Sequence, residues 1–303
     1  MKHLIATVLL LGFSSAAFAT QTLNYTVPVG TVTHYKVTSV NQTNFFDVTI
    51  SAEDGGKVGK SLQDAFLSGF KDIKITTESN VLETVREVRS DGTRLVEALF
   101  DTSTNIQAST VNIPQSHLKY TTSILYQADG QVQVQSVKYD RTSFPTSFTD
   151  EMLNDLEQVL KTTLNSTETK LYGQSFELNQ PLFFEYKIEN SAFGKTNANV
   201  KVSRTLTNVG EQGQLEFQTQ SKIEAYKTTQ DFSELLNMSA EYDFEATEIF
   251  SKERYLTDGR QEHTTTKSEG NYHFKTNLKI AEQKYTIIGN AKNALENNSD
   301  LIP

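Results

Sequence analysis

Catalytic chemistry would have to come from histidines, carboxylates and hydroxyls, because the 303-residue chain contains no cysteine. Thiol nucleophiles, thiolate metal sites and disulfides are therefore excluded. Beyond residue 19 the histidines are His34, His117, His263 and His273. None stands in an H-x-x-x-H or H-E-x-x-H spacing, which would place two ligands on one helical face. A metal site assembled from distant histidines stays open on spacing alone. His273 falls on the polar side of an alternating segment and is expected at the surface. No G-x-S-x-G elbow is present to expose a serine nucleophile. The stretch Gly55-Gly56-Lys57-Val58-Gly59-Lys60 has glycines and lysines but not the G-x-x-x-x-G-K-[ST] spacing that cradles phosphate. It is expected to be a turn before a helix. Glu241, Asp243 and Glu245 alternate with Tyr242, Phe244 and Ala246. On a strand this places three carboxylates on one face, which could hold Ca²⁺ or act as an acid/base pair. It is also how a solvated sheet face is written, and that is the expectation here. The residues thus point to no catalytic group, no metal ligand and no cofactor, and to a non-enzymatic protein. A hydrolase with a dispersed site is the enzymatic alternative.

The formal charge of −9 at pH 7 is scattered along the chain. Nucleic-acid binding needs clustered Lys and Arg, and attachment to anionic lipid needs a polybasic patch. Neither class of partner fits. The chain opens Met1-Lys2-His3, continues through the apolar run Leu4–Phe13 and reaches Ala17-Phe18-Ala19. A charged start, a short apolar core and an A-x-A site describe a secretory signal peptide over 1–19, cleaved after Ala19. A secreted or periplasmic location follows as an expectation, without a lipid anchor on the first mature residue. Beyond the signal, no run approaches the roughly 20 apolar residues of a transmembrane helix.

What would position these residues is a set of strands. Period-two alternation dominates, as half-buried strands require. In 272–280, Tyr272, Phe274, Leu278 and Ile280 share one face with Thr276, while His273, Lys275, Asn277 and Lys279 share the other. Similar runs cover 131–135, 199–202 and 215–219. Turn signals at Asp91-Gly92, Asp129-Gly130, Asp258-Gly259 and Glu269-Gly270 separate alternating stretches. Asp-Gly suits a type I′ hairpin turn, which needs positive φ at both central residues. The spacing predicts three helices. The longest runs over 149–164, with Thr149 as cap and Met152, Leu153, Leu156, Val159, Leu160 and Leu164 on one stripe. A second runs over 57–70 and a short third over 231–238. Similar phrases at Val29-Gly30 and Tyr172-Gly173, each followed by a strand, are consistent with two related halves, 20–148 and 165–289, within a single domain. The stretch 290–303 lacks periodicity and is expected to fray. The fold class is mainly β: a curved antiparallel sheet, or open barrel, covered by a few helices.

This combination resembles the open β-barrels of the LolA and LppX type. The features that carry the resemblance are the signal peptide, the hairpins at Asp91-Gly92, Asp129-Gly130 and Asp258-Gly259, and the helical insertions near Lys57 and Thr149. The resemblance implies a curved sheet and covering helices with acyl chains bound between them. A sheet with one apolar face must cover it with helices, another sheet or a ligand. The candidate lining is Met152, Leu153, Leu156, Val159 and Leu160 from the helix with Tyr272, Phe274 and Leu278 from the sheet. The function expected is that of an exported envelope protein binding a lipid or other hydrophobic ligand. The alternatives are an assembly factor that binds an envelope protein, and an outer-membrane β-barrel.

Overall fold

The computed structural model describes residues 20–52, 58, 60, 64, 68–69, 71–109, 112–127, 131–143, 157, 166–167, 171–191, 194–232, 238–280 and 283–303. In chain order the strands are β1 (Gln21–Thr22), β2 (Val32–Ala52), β3 (Asp72–Val88), β4 (Arg94–Ala108), β5 (Asn112–Tyr126), β6 (Gln131–Tyr139), β7 (Ser166–Thr167) and β8 (Ser175–Phe176). They continue with β9 (Pro181–Ser191), β10 (Gly194–Val209), β11 (Leu215–Ile223), β12 (Tyr226–Phe232), β13 (Met238–Phe244), β14 (Thr247–Tyr255), β15 (Gln261–Ile280) and β16 (Gln283–Ile302). Fourteen of them form one antiparallel sheet, in which each strand lies mostly beside its neighbour in sequence. The pairing most distant in sequence is that of β16 with β2, from Tyr285 to Ile302, which welds the two ends of the sheet's chain together. β11 with β12, and β13 with β14, are two long strands interrupted side by side at 224–225 and 245–246. Both halves of each pair the same neighbours. Bulges of this kind bend a strand and increase its twist.

The sheet is strongly curved. Arg94 on β4 and Leu206 on β10 stand seven strands apart in the order, about 34 Å in a flat sheet. Yet Tyr172 touches both: the Arg94 guanidinium lies 4.5 Å from its ring, and its ring packs on the cluster holding Leu206, Phe217 and Tyr255. Concave and convex faces differ sharply. Along β15 the convex row reads His263, Thr265, Lys267, Glu269, Asn271, His273, Lys275, Asn277 and Lys279. Ion pairs such as Lys267–Glu296 at 3.1 Å and Lys292–Glu269 at 3.3 Å cross this face. A lipid-facing barrel wall would carry an apolar band there. Among the described residues no helix is long and apolar enough to cross a membrane.

One end of the concave face is filled by chain that belongs to no long strand. Residues 20–31 and 171–180 cross it, joined by the two-stranded β1–β8 sheet. Leu23, Val27 and Phe176 are fully buried there, Leu23 and Phe176 against Leu206, Phe217 and Tyr255. This plug closes the near end. It is tied to the hairpin between β14 and β15: Thr26 N–H donates to Asp258 O at 2.9 Å, and the Tyr172 hydroxyl donates to Gly259 O at 2.9 Å.

Several expectations are corrected. The hairpins at Asp91-Gly92 and Asp258-Gly259 exist, but only the glycines have positive φ, at 89° and 85°. Each is a turn closed by the glycine N–H on Arg89 O or Leu256 O, followed by a bulge, not a type I′ turn. Glu269-Gly270 is not a turn; it lies in the middle of the twenty-residue β15, where a Cβ on Gly270 would meet Thr247 Oγ1 at 2.7 Å. Residues 231–232 and 238 are strand, paired Asp231↔Ser239 and Phe232↔Met238; 233–237 lie outside the described residues. The stretch 290–303 does not fray, because it is the body of β16, bonded on both sides. The Asp129-Gly130 turn, the signal segment 1–19 and most of the helices 57–70 and 149–164 lie outside the described residues. Of those stretches Val58, Lys60, Asp64, Ser68, Gly69 and Glu157 are described; all but Val58 are in helical conformation.

Gly259 shows why that turn matters. A Cβ there would lie 2.4 Å from Asn24 O and 2.9 Å from Tyr25 Cα, both backbone atoms of the plug. Gly92 has the same φ sign but open space around it. Gly92→Ala should therefore cost only the left-handed conformation, about 1–3 kcal/mol. Gly259→Ala should cost that and unseat the plug. In urea denaturation Gly259→Ala is expected to be clearly the more destabilised; equal midpoints would show that the plug does not rest on this turn.

Candidate ligand-binding face

At the end away from the plug, the concave face is an aromatic shelf. Phe45 on β2, Tyr226 on β12, Tyr242 and Phe244 on β13, and Tyr272 and Phe274 on β15 all point inward. Their register explains this: Tyr226 pairs Phe244, Tyr242 pairs Phe274, and Phe244 pairs Tyr272. Tyr226 and Phe244 stack at 4.6 Å with planes 10° apart, just past the paired interruptions in their strands. Phe244 meets Tyr272 at 5.0 Å, Tyr242 meets Tyr272 at 5.9 Å, and Tyr272 meets Phe274 at 6.4 Å. Phe274 then reaches Phe45 at 5.3 Å, edge to face, across the intervening strand β16. That reach is possible because β16 offers Gly289 and Ala291 at this level. A Cβ on Gly289 would come within 2.9 Å of Phe274 Cζ and of Val48 Cγ2. The floor beneath is a buried cluster of Val48, Ile50, Phe274, Ile287 and Ala291.

Phe274 is buried, while Phe45, Tyr226, Tyr242, Phe244 and Tyr272 are half-buried and keep one side open to the concavity. Burial pushes the phenols of Tyr226 and Tyr242 up. Tyr272 is pushed up to about 12, by burial and then by Tyr242, partly offset by a hydrogen bond with Thr43. All three are neutral at physiological pH, so the shelf presents neutral amphipathic rings.

Between shelf and plug runs a belt of hydroxyls and amides. Ser251 and Thr266 are hydrogen-bonded at 2.9 Å, Ser79 and Thr102 at 2.9 Å, and Thr77 and Thr104 at 3.4 Å. Asn293 Nδ2 donates to Asn41 Oδ1 at 2.7 Å and to Thr43 Oγ1 at 2.9 Å. The belt therefore spans β14, β15, β16, β2, β3 and β4. Within it Thr264 Oγ1 and Asn297 Oδ1 are buried with no hydrogen-bond partner, a state that normally calls for water or a bound polar group.

Among the described strand residues, the charged side chains of the concave face lie at the plug end. Arg204 Nε donates to Thr219 Oγ1 at 2.9 Å and its guanidinium reaches both Glu253 oxygens at 3.4 Å. Glu253 also accepts from Thr219 at 2.9 Å and from the Tyr255 hydroxyl at 2.8 Å. Arg94 is held between three rings, at 4.2 Å from Tyr25, 4.3 Å from Tyr126 and 4.5 Å from Tyr172. Such cation–π cages stabilise a desolvated cation. Glu83 lies inside the same end, where burial pushes its carboxyl up to about 6 against the pull of Arg94. Its ordinary value is 4.5, so the folded protein holds this proton more tightly than the unfolded chain. The group's contribution to stability is therefore full below about pH 4.5 and is lost as the pH rises through about 6. Glu83→Gln is expected to stabilise the protein by about 1–2 kcal/mol at pH 7.5 and to change little at pH 4. Thermal melts at both pH values check it; equal gains at both would refute the assignment.

Of the lining expected from sequence, Tyr272, Phe274 and Leu278 come together on the concave face, with Leu278 against the buried floor. Met152, Leu153, Leu156, Val159 and Leu160 lie outside the described residues. Two described residues from the stretches 57–70 and 149–164 lie near the concave side: Val58 packs on the floor cluster, and Glu157 adds to the raising of the Tyr139 phenol, which burial causes first and Tyr120 second. Phe45, Tyr226 and the two arginine centres were not singled out by the sequence, although Tyr242 and Phe244 were placed opposite the acidic ladder. That ladder faces outward, with Asp243 ion-paired to Lys227 at 2.8 Å. His273 is exposed on the convex face and contacts Asn290 Oδ1 at 3.1 Å. Among the described residues no group of three or more His, Asp or Glu is placed to hold a metal ion.

No protein-family model and no curated protein sequence matches the chain. A search of solved structures finds similarity to the crystal structure of an outer membrane channel from Pseudomonas putida F1. The identity is 9%, covering 91% of this chain and 97% of that one, at a TM-score of 0.22. Similarity at that level assigns neither fold nor function.

Proposed function

We propose that the protein is an exported, non-enzymatic component of the bacterial cell envelope that holds a hydrophobic ligand against the concave face of its sheet. The observation that carries this reading is the aromatic shelf. Five rings stand half-open on a concave surface, where a protein with no ligand would gain by covering them. Apolar, aromatic-lined concavities with a few placed polar groups are the usual form of small-molecule sites. Leu278 and the floor residues extend the apolar surface, and Val58 packs on that floor. The charged convex face supports a protein surrounded by water over one set in lipid. Native mass spectrometry of the chain purified without detergent tests the reading. A retained apolar molecule, removable by organic extraction, is expected. A chain found only at its bare mass, which also fails to take up an added alkyl probe, would overturn it.

A further inference from the structure

The belt beside the shelf says more about the ligand, and this inference rests on the hydrophobic-ligand reading above. The hydroxyls and amides of Ser39, Thr43, Ser79, Thr102, Thr266 and Asn293 are half-buried on the concave face, each partly open to it. They adjoin the shelf directly: Thr43 is two residues from Phe45, and Thr43 hydrogen-bonds to Tyr272. An acyl chain alone would leave these groups facing apolar atoms, at a cost for each donor or acceptor left unpaired. The two partnerless atoms, Thr264 Oγ1 and Asn297 Oδ1, sit in this belt on neighbouring strands. They are not matched to a charge. Among the described strand residues, the cations of the concave face are Arg94 and Arg204; they lie at the far end and are engaged by three tyrosine rings and by Glu253. A phosphate or carboxylate head group lying on the belt would meet neutral hydroxyls and amides, whereas an uncharged polyol would find both donors and acceptors.

We propose that the concave face takes an uncharged, hydroxyl-rich amphiphile of the glycolipid type, with its alkyl portion on the aromatic shelf and its sugar-like head against the Ser/Thr/Asn belt. Neutral aromatic rings serve both parts, since sugars also stack their C–H faces on such rings.

Calorimetric titration of the delipidated full chain with dodecyl maltoside, sodium laurate and maltose, each below its micellar concentration, separates the outcomes. Dodecyl maltoside is expected to bind at least about tenfold more tightly than laurate, the worth of one or two net hydrogen bonds from the head group. Asn293→Leu should erase that advantage and leave laurate binding unchanged. Ser79→Ala with Thr102→Ala, at the other side of the belt, should reduce it as well and serves if the first variant does not fold. Laurate binding as tightly as dodecyl maltoside would overturn the glycolipid assignment and leave the hydrophobic-ligand reading standing. Maltose binding as tightly as dodecyl maltoside would overturn both the amphiphile and the shelf's role. No binding of either alkyl compound would remove the parent reading itself.

Discussion

Arg204→Leu should destabilise the protein by about 3–5 kcal/mol, because it leaves the Glu253 carboxylate buried without its cation. Both side chains are about nine-tenths removed from solvent, at 11% and 8% exposure. Glu253 would keep its bonds from Thr219 and Tyr255, which place two hydroxyls but no charge beside it. The Tyr255 phenol, held well above its ordinary value by burial and then by Glu253, cannot offset a negative charge. Replacing both partners, Arg204→Met with Glu253→Leu, removes the charges together and should recover most of the loss, since a buried pair is often little better than apolar residues of similar volume. Urea unfolding of the two variants checks both statements. A double variant as unstable as Arg204→Leu would mean that the network holds the plug by shape and not by charge.

Tyr242→Glu is expected to lower the affinity for dodecyl maltoside and for laurate alike by at least about tenfold, or about 1.4 kcal/mol. The substitution puts a carboxylate among Phe244, Tyr272 and the floor, where desolvation opposes any apolar ligand lying on it. Tyr242→Phe keeps the ring and should bind both compounds as the parent does. Tyr242 is only half-buried, so the fold tolerates a change there better than at buried Phe274. Equal affinity in the Glu and Phe variants would place the ligand somewhere other than the shelf.

The sequence shows the strands best where their inward side chains are apolar. Tyr272, Phe274 and Leu278 alternate with charged residues, and the structure places them inward as that pattern demands. It shows them poorly at the belt, because there both faces are polar. Thr264, Thr266 and Ser268 alternate with His263, Thr265 and Lys267, and no hydrophobic period survives. The same loss hides β16, whose inward residues Asn293 and Asn297 make 290–303 look like a tail. It also makes Gly270 look like a turn, when its missing side chain makes room for Thr247. The plug was illegible for a different reason. Leu23, Val27, Leu171 and Phe176 are buried singly along irregular chain, and only tertiary contacts distinguish them from loop residues. The two strand interruptions carry no local signal either, since Glu224-Ala225 and Glu245-Ala246 are ordinary residues in alternating runs. Their consequence, bringing Tyr226 and Phe244 face to face, follows from register across strands distant in the sequence.

The chain has 12 tyrosines and no tryptophan, which makes ligand position directly measurable by tyrosine emission. Titration with 11-bromoundecanoate, whose bromine quenches only rings it touches, should quench saturably about a quarter of the emission, the share of Tyr226, Tyr242 and Tyr272. Replacing those three by phenylalanine should keep the binding and abolish the quenching. Unsaturable quenching, or the same quenching in the triple variant, would contradict a ligand held on the concave aromatic face.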